Sequence, residues 1–206
     1  MRPVQKVGLT ALLGILAFAL VFALLPSGNV AQAQTGVTLQ GVQLSLYPAR
    51  DPEAVWRFSA RDVHNDPTTS VTNLTGLTGG ERRLRERGPG GQFTGRETLD
   101  ATISAPRLSI NAQDDLTTPE AELTLVRECA TLDLSGTPEQ PVRIEQGQGF
   151  SAPRAQLDAP AMRGEALELR MDFQFNVLSA SPASTFGWDT EATETCRSGV
   201  RVPISD

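Results

Sequence analysis

From Leu167 to Val177, apolar and polar residues alternate without a break. Leu167, Leu169, Met171, Phe173, Phe175 and Val177 alternate with Glu168, Arg170, Asp172, Gln174 and Asn176. Successive strand side chains point to opposite faces, so this run predicts a strand with one apolar and one polar face. As a helix, one face would carry Leu167, Arg170, Met171 and Gln174 and would be half polar, so the strand template fits better. The good helix formers from Ala166 to Met171 argue mildly the other way.

Shorter alternating runs fill most of the chain. They include Val42, Leu44 and Leu46; Trp56, Phe58 and Ala60; Leu99, Ala101, Ile103 and Ala105, followed by Leu108 and Ile110. Others are Ala121, Leu123 and Leu125; Leu132 and Leu134; Val142 and Ile144; and Ala155, Leu157 and Ala159. Turn signals separate them: Thr78-Gly79-Gly80, Gly88-Pro89-Gly90-Gly91, Gln113-Asp114-Asp115, Ser135-Gly136-Thr137-Pro138 and Gly147-Gln148-Gly149. No amphipathic helix of useful length follows residue 36. The pattern predicts an all-β, antiparallel sandwich, jelly roll or barrel.

A weak repeat recurs. Ser104-Ala105-Pro106-Arg107-Leu108, Ser151-Ala152-Pro153-Arg154-Ala155, Thr118-Pro119-Glu120-Ala121 and Ala159-Pro160-Ala161-Met162 share a small-Pro-apolar form. Proline cannot donate to a ladder and is favoured at strand starts and edges. Each unit therefore reads as a corner that opens a strand. The irregular spacing argues against a propeller or solenoid.

Residues 1–33 read as a targeting segment. Arg2 and Lys6 precede an almost wholly apolar run, Val7–Leu25, and Ala31-Gln32-Ala33 has the small-x-small form of a cleavage site. Two readings fit: a cleaved signal peptide, or a single-span anchor of the inner membrane, since the run approaches the ~20 residues that span a bilayer. Either places the rest outside the cytoplasm, in the periplasm or secreted. The expected organisation is thus a β-domain at 34–178 and a C-terminal tail at 179–206. After residue 33 the chain has 16 arginines, no lysine and 24 carboxylates, a formal charge of −8. Nucleic acid is therefore not an expected partner.

Cys129 and Cys196 are the two cysteines. In an oxidising compartment they are expected to pair and tie the tail to the domain, the alternative being two separately buried thiols. Phe186 and Trp188 are expected to pin the tail. His64 lies beside Asn65-Asp66-Pro67 and reads as a turn residue. No nucleophile elbow, phosphate loop or zinc-protease motif occurs, so no catalytic residue, metal or cofactor is expected. Asp114-Asp115 lacks calcium-loop spacing. The charged run Glu81-Arg82-Arg83-Leu84-Arg85-Glu86-Arg87 reads as a mobile hairpin loop, and its four guanidiniums, Arg82, Arg83, Arg85 and Arg87, are the candidate anionic contact.

Two β-faces that meet form a core, and two that splay form an apolar groove. Burying acyl chain in such a groove contributes about 0.8 kcal/mol per methylene. The order of segments resembles the LptC-type periplasmic component of lipopolysaccharide export, in the OstA-like group. The resemblance is carried by the apolar run Val7–Leu25, by Asp51-Pro52-Glu53-Ala54-Val55-Trp56-Arg57-Phe58-Ser59-Ala60, and by Ile103-Ser104-Ala105-Pro106-Arg107-Leu108. Leu116–Ala121, Gly149–Ala152 and Met162–Gly164 continue it. It spans most of residues 37–177. The two cysteines, the Gly/Arg-rich piece at 80–91 and the tail beyond 178 depart from the family pattern.

The resemblance implies an antiparallel β-jelly roll, open or splayed along one side, after an N-terminal apolar helix. It implies a non-catalytic carrier that accepts lipid, such as a lipopolysaccharide-like glycolipid, from an inner-membrane ABC transporter. That lipid passes to an OstA-like jelly-roll partner by strand addition. Trp56, Phe58, Leu157, Leu167, Leu169, Met171, Phe173 and Phe175 are expected to line the groove. The alternative is a secreted β-sandwich binding protein with a closed core and a ligand site on its loops.

Overall fold

The computed structural model describes residues 36–189 and 191–204. The expected N-terminal helix and the choice between anchor and signal peptide lie outside these residues. Among the described residues, no helix is long and apolar enough to cross a membrane.

The chain forms β1 (Val37–Leu46), β2 (Ala54–Asp66), β3 (Val71–Arg87), β4 (Phe93–Ser104), β5 (Arg107–Ile110), β6 (Leu116–Thr118), β7 (Glu120–Leu125) and β8 (Ala130–Ser135). There follow β9 (Val142–Glu145), β10 (Gly149–Ala159), β11 (Met162–Met171), β12 (Val177–Ser179), β13 (Gly187–Trp188), β14 (Glu194–Arg197) and β15 (Val200–Pro203). Every pairing is antiparallel, as the alternation predicts.

Thirteen strands form one sheet, creased across its middle. The long strand β3 pairs with β5 through Thr72–Thr75 and with β4 through Gly80–Arg87. On the far side β10 pairs with β9 through Gly149–Ser151 and with β8 through Arg154–Asp158. Between them the chain breaks at the crease: Pro106 separates β4 from β5, and Pro119 separates β6 from β7. Pro153 lies in β10 at the same level. Pro106, Pro119 and Pro160 thus sit at corners that precede strands, as the sequence predicts, whereas Pro153 opens no strand and lies within β10. The Pro106 and Pro119 carbonyls hold the bend, with the Gly76 amide donating to Pro106 O at 3.1 Å and the Gly136 amide to Pro119 O at 2.8 Å.

Inward-facing residues change parity across the crease. On either side of the crease the buried positions run Trp56, Phe58 and Ala60, then Val63 in β2; Phe150 and Ala152, then Ala155, Leu157 and Ala159 in β10; and Met162 and Ala166, then Leu169 and Met171 in β11. A side-chain period of two would turn half of each strand inside out without these slips. Glu168, at φ 51°, provides the slip in β11.

The expected open jelly roll is corrected here. Hydrogen bonding runs β3-β4-β7-β8-β10-β9-β6-β5 and back to β3, a closed ring of eight strands. The ring is filled by its own inward residues, among them Leu74, Ile103, Leu123, Leu132, Ile144 and Leu157, and Trp56 and Phe58 of β2 join the same buried cluster. β1 and β2 extend the sheet beyond β3, and β11 extends it beyond β10.

The run from Leu167 to Val177 is not one strand. β11 ends at Met171, and Asp172 turns the chain. Its Oδ1 accepts the amides of Gln174 at 2.8 Å and Asn176 at 2.9 Å, and Phe175 takes φ 64°. An aspartate bonding to its own downstream backbone favours a turn over a continuing ladder. Glu81–Arg87 differs in the other direction. It continues β3, and only Gly88–Gln92 turns, closed by the Gly88 amide on Gln92 O at 2.9 Å.

The tail lies along the outer edge of β11. Ser181 N donates to Leu167 O at 2.8 Å, Thr185 N to Glu165 O at 2.8 Å, and Asp189 N to Ala161 O at 2.9 Å. Cys129 and Cys196 are bonded, tying hairpin β14–β15 to the β7–β8 turn. Closing a loop of 67 positions stabilises the fold by roughly 2–4 kcal/mol. Arg201 supports the tether, donating to Cys129 O at 3.1 Å and to Asp158 Oδ2 at 3.0 Å. Phe186 packs against the core, whereas the Trp188 side chain stays 68% exposed and that residue holds the tail through its backbone pairing with Met162.

Candidate functional site

The eight residues predicted to line a groove are not gathered along one. Trp56, Phe58, Leu157, Leu169, Met171 and Phe173 are buried in the core, and Leu167 and Phe175 are half-buried. Trp56 stacks on Phe58 with centroids 5.7 Å apart and meets the edge of Phe173 at 6.1 Å. Its Nε1–H donates to the buried Gln146 Oε1 at 3.1 Å. Gln146 links Trp56 of β2 to the β5–β6 loop: its amide donates to Asp115 Oδ1 at 3.1 Å and its Nε2 to Asp114 O at 2.9 Å. Asp115 also pairs with Arg50. Desolvation pushes the Asp115 carboxyl up, but the hydrogen bonds from Arg50 and Gln146 outweigh it and hold the group below its ordinary range.

The four arginines are not gathered into an anion site. Arg82 points inward, pairs with Asp51 and Asp100, and lies 4.1 Å over the Phe173 ring. Arg83 donates to Glu81 at 2.8 Å. Arg85 donates to Pro52 O and lies 3.8 Å over Phe93. Arg87 donates to Glu53 at 2.9 Å and to Gly91 O at 2.7 Å. Strand alternation separates Arg82 from the other three. Among the described residues, no group of acidic, histidine and cysteine side chains is arranged to hold a metal ion.

A cavity of about 450 Å³ opens between the turn after β11 and the tail, walled by the apolar Met162, Phe175, Val177, Phe186 and Trp188 and by the polar Glu128, Gln174 and Asn176. Phe175, Val177 and Phe186 pack their inner sides on the core, so the cavity is a shallow extension of it. Apolar and aromatic walls with few polar groups are the usual form of a small-molecule site. Phe175 is the predicted lining residue that reaches it. Glu128, Phe186 and Trp188 were not singled out for this role in the sequence, because they come from separate segments that only the β11 edge brings together.

Burial pushes the Glu128 carboxyl above its ordinary value, with Arg127 opposing it from 3.7 Å. A carboxyl with a raised folded-state value costs stability when ionised, and stability rises as pH falls through that value. Glu128→Gln is therefore expected to raise the thermal midpoint at neutral pH, with the advantage gone once pH falls to the ordinary 4.5. Melting curves at the two pH values check this. An unchanged midpoint at neutral pH would remove Glu128 from the desolvated wall.

No protein-family model matches the chain, and no curated protein matches it.

Proposed function

We propose that this protein is a non-catalytic carrier of lipid in the cell envelope, of the kind the LptC-type resemblance implies. It takes the acyl part of a lipid or lipopolysaccharide-like glycolipid at the cavity beside β11. The observation that carries this reading is the cavity wall: five apolar side chains, three of them aromatic, beside Glu128, Gln174 and Asn176, continuous with the core yet open to solvent. Trp188, at 68% exposed, gives the cavity an aromatic rim that a bound acyl chain would cover. Each methylene buried there contributes about 0.8 kcal/mol, and no catalytic side chain is needed. In this reading an inner-membrane ABC transporter supplies the lipid and an OstA-like jelly-roll protein receives it by strand addition, in the periplasm.

The filled interior favours a second reading, a secreted β-sandwich that binds its ligand on the surface. A concavity of about 520 Å³ on the other face, lined by Glu120, Glu122, Asp133, Arg154 and Glu165, suits such a ligand.

A benzophenone side chain placed at Phe175 and, separately, at exposed Arg170 tests the two. Irradiation in the producing cells is expected to give lipid adducts at position 175 and not at 170. Adducts at neither site, or equally at both, would sink the carrier reading. Protein adducts alone would favour the second.

A further inference from the structure

The two outer edges of the sheet are treated differently. The edge of β11 is covered along its length by the chain's own tail, from the pairing of Arg170 with Ser179 to that of Met162 with Trp188. The edge of β1 is bare: β1 pairs with β2 on one side and with nothing on the other among the described residues. Proteins usually blunt such an edge with charges or proline. Val37-Thr38-Leu39-Gln40-Gly41-Val42-Gln43-Leu44-Ser45-Leu46 contains neither.

The strand also reads nearly the same in both directions. About its centre, Val37 mirrors Leu46, Thr38 mirrors Ser45, Leu39 mirrors Leu44 and Gln40 mirrors Gln43. In an alternating strand of even length, a mirror of this kind sets inward residues opposite outward ones. Gly41, at φ 62°, removes that conflict. It shifts parity so that Val37 and Leu39 share the inner side with Val42, Leu44 and Leu46, which pack against the core margin. Val37 and Leu39 remain 64% and 52% exposed.

We infer that β1 is the two-fold interface of a homodimer, formed by antiparallel pairing of β1 with β1 of a second copy. Main-chain hydrogen bonds join the two sheets, as in strand addition generally. The mirrored register sets Leu39 opposite Leu44 on the inner side and Gln40 opposite Gln43 on the outer side. A two-fold contact uses the same patch on both copies and closes at two. Among the described residues the tail lies along the edge of β11, so that edge is not open to head-to-tail growth. The inference rests on β1 alone and needs no lipid; the dimer occupies the edge that strand addition of an acceptor would use, so an acceptor pairs only with the dissociated chain.

Gln40 and Gln43 are exposed, so charges there leave the fold intact. Gln40→Lys/Gln43→Lys sets like charges opposite one another twice across the axis, as does Gln40→Glu/Gln43→Glu. With the full-length chain in detergent, analytical ultracentrifugation is expected to show a dimer. Either double variant alone should dissociate about tenfold more readily. An equimolar mixture of the two should recover a one-to-one dimer of native strength. A native chain that stays monomeric, variants that dimerise as tightly as the native chain, or a mixture that fails to recover would each overturn the inference.

Discussion

Arg82→Met is expected to lower the unfolding free energy by about 3–5 kcal/mol, because it strands two carboxylates inside the protein. The Arg82 side chain is 5% exposed, and its partners Asp100 and Asp51 are 3% and 13% exposed. Phe173 covers the guanidinium face, and its Nε–H has no partner. Methionine fills much of the arginine volume, so loss of charge rather than packing dominates. The triple variant Arg82→Met/Asp51→Asn/Asp100→Asn is expected to regain much of the loss, since it removes the uncompensated charges along with their partner. Urea unfolding of the three proteins at neutral pH measures both effects. A single-variant loss below about 1 kcal/mol would mark the cluster as solvated, with the energetics of a surface ion pair.

Trp56→Ala is expected to cost a similar about 3–5 kcal/mol, by a different mechanism. Trp56 is fully buried between Phe58 and Phe173, so truncation opens a cavity that those rings cannot both fill. It also leaves the Gln146 Oε1 acceptor without its donor. Trp56→Phe separates the two effects. It keeps most of the packing and loses the hydrogen bond, for an expected about 1–3 kcal/mol. Equal midpoints for Trp56→Phe and the native chain would show that Gln146 is satisfied by other means. The sites sit side by side around Phe173, so combining Trp56→Ala with Arg82→Met is expected to cost less or more than the separate losses together.

Much of this architecture is legible in the residue pattern. Alternation locates most strands, and the Ala-Pro and Thr-Pro units locate the crease, because a missing amide and a fixed φ act within one or two residues. The cysteines pair as an exported chain predicts. What escapes is whatever depends on residues far apart. Arg82 looks like one charge in a solvated run. Its partners lie 18 and 31 positions away, and only the β3–β4 register and the loop after β1 bring them to it. The parity slips escape for a related reason. Each short run on either side of the crease is internally regular, and nothing local says that the next run has changed face. Phe175 shows the limit at the site itself. Its alternation with Phe173 is real in the sequence, yet the Asp172 turn takes one ring into the core and the other to the cavity wall.

The slip at the crease has a consequence for how the molecule can vary. Inserting one residue in a strand reverses every side chain beyond it, and the fixed slip at the crease does not cancel that reversal. The long strands β2, β3, β10 and β11 would therefore carry the error from one half of the fold to the other. Changes of length are tolerated at the corners of Pro106 and Pro119, where one strand has ended and the next has not begun, as a clause can be added at a semicolon but not inside a word.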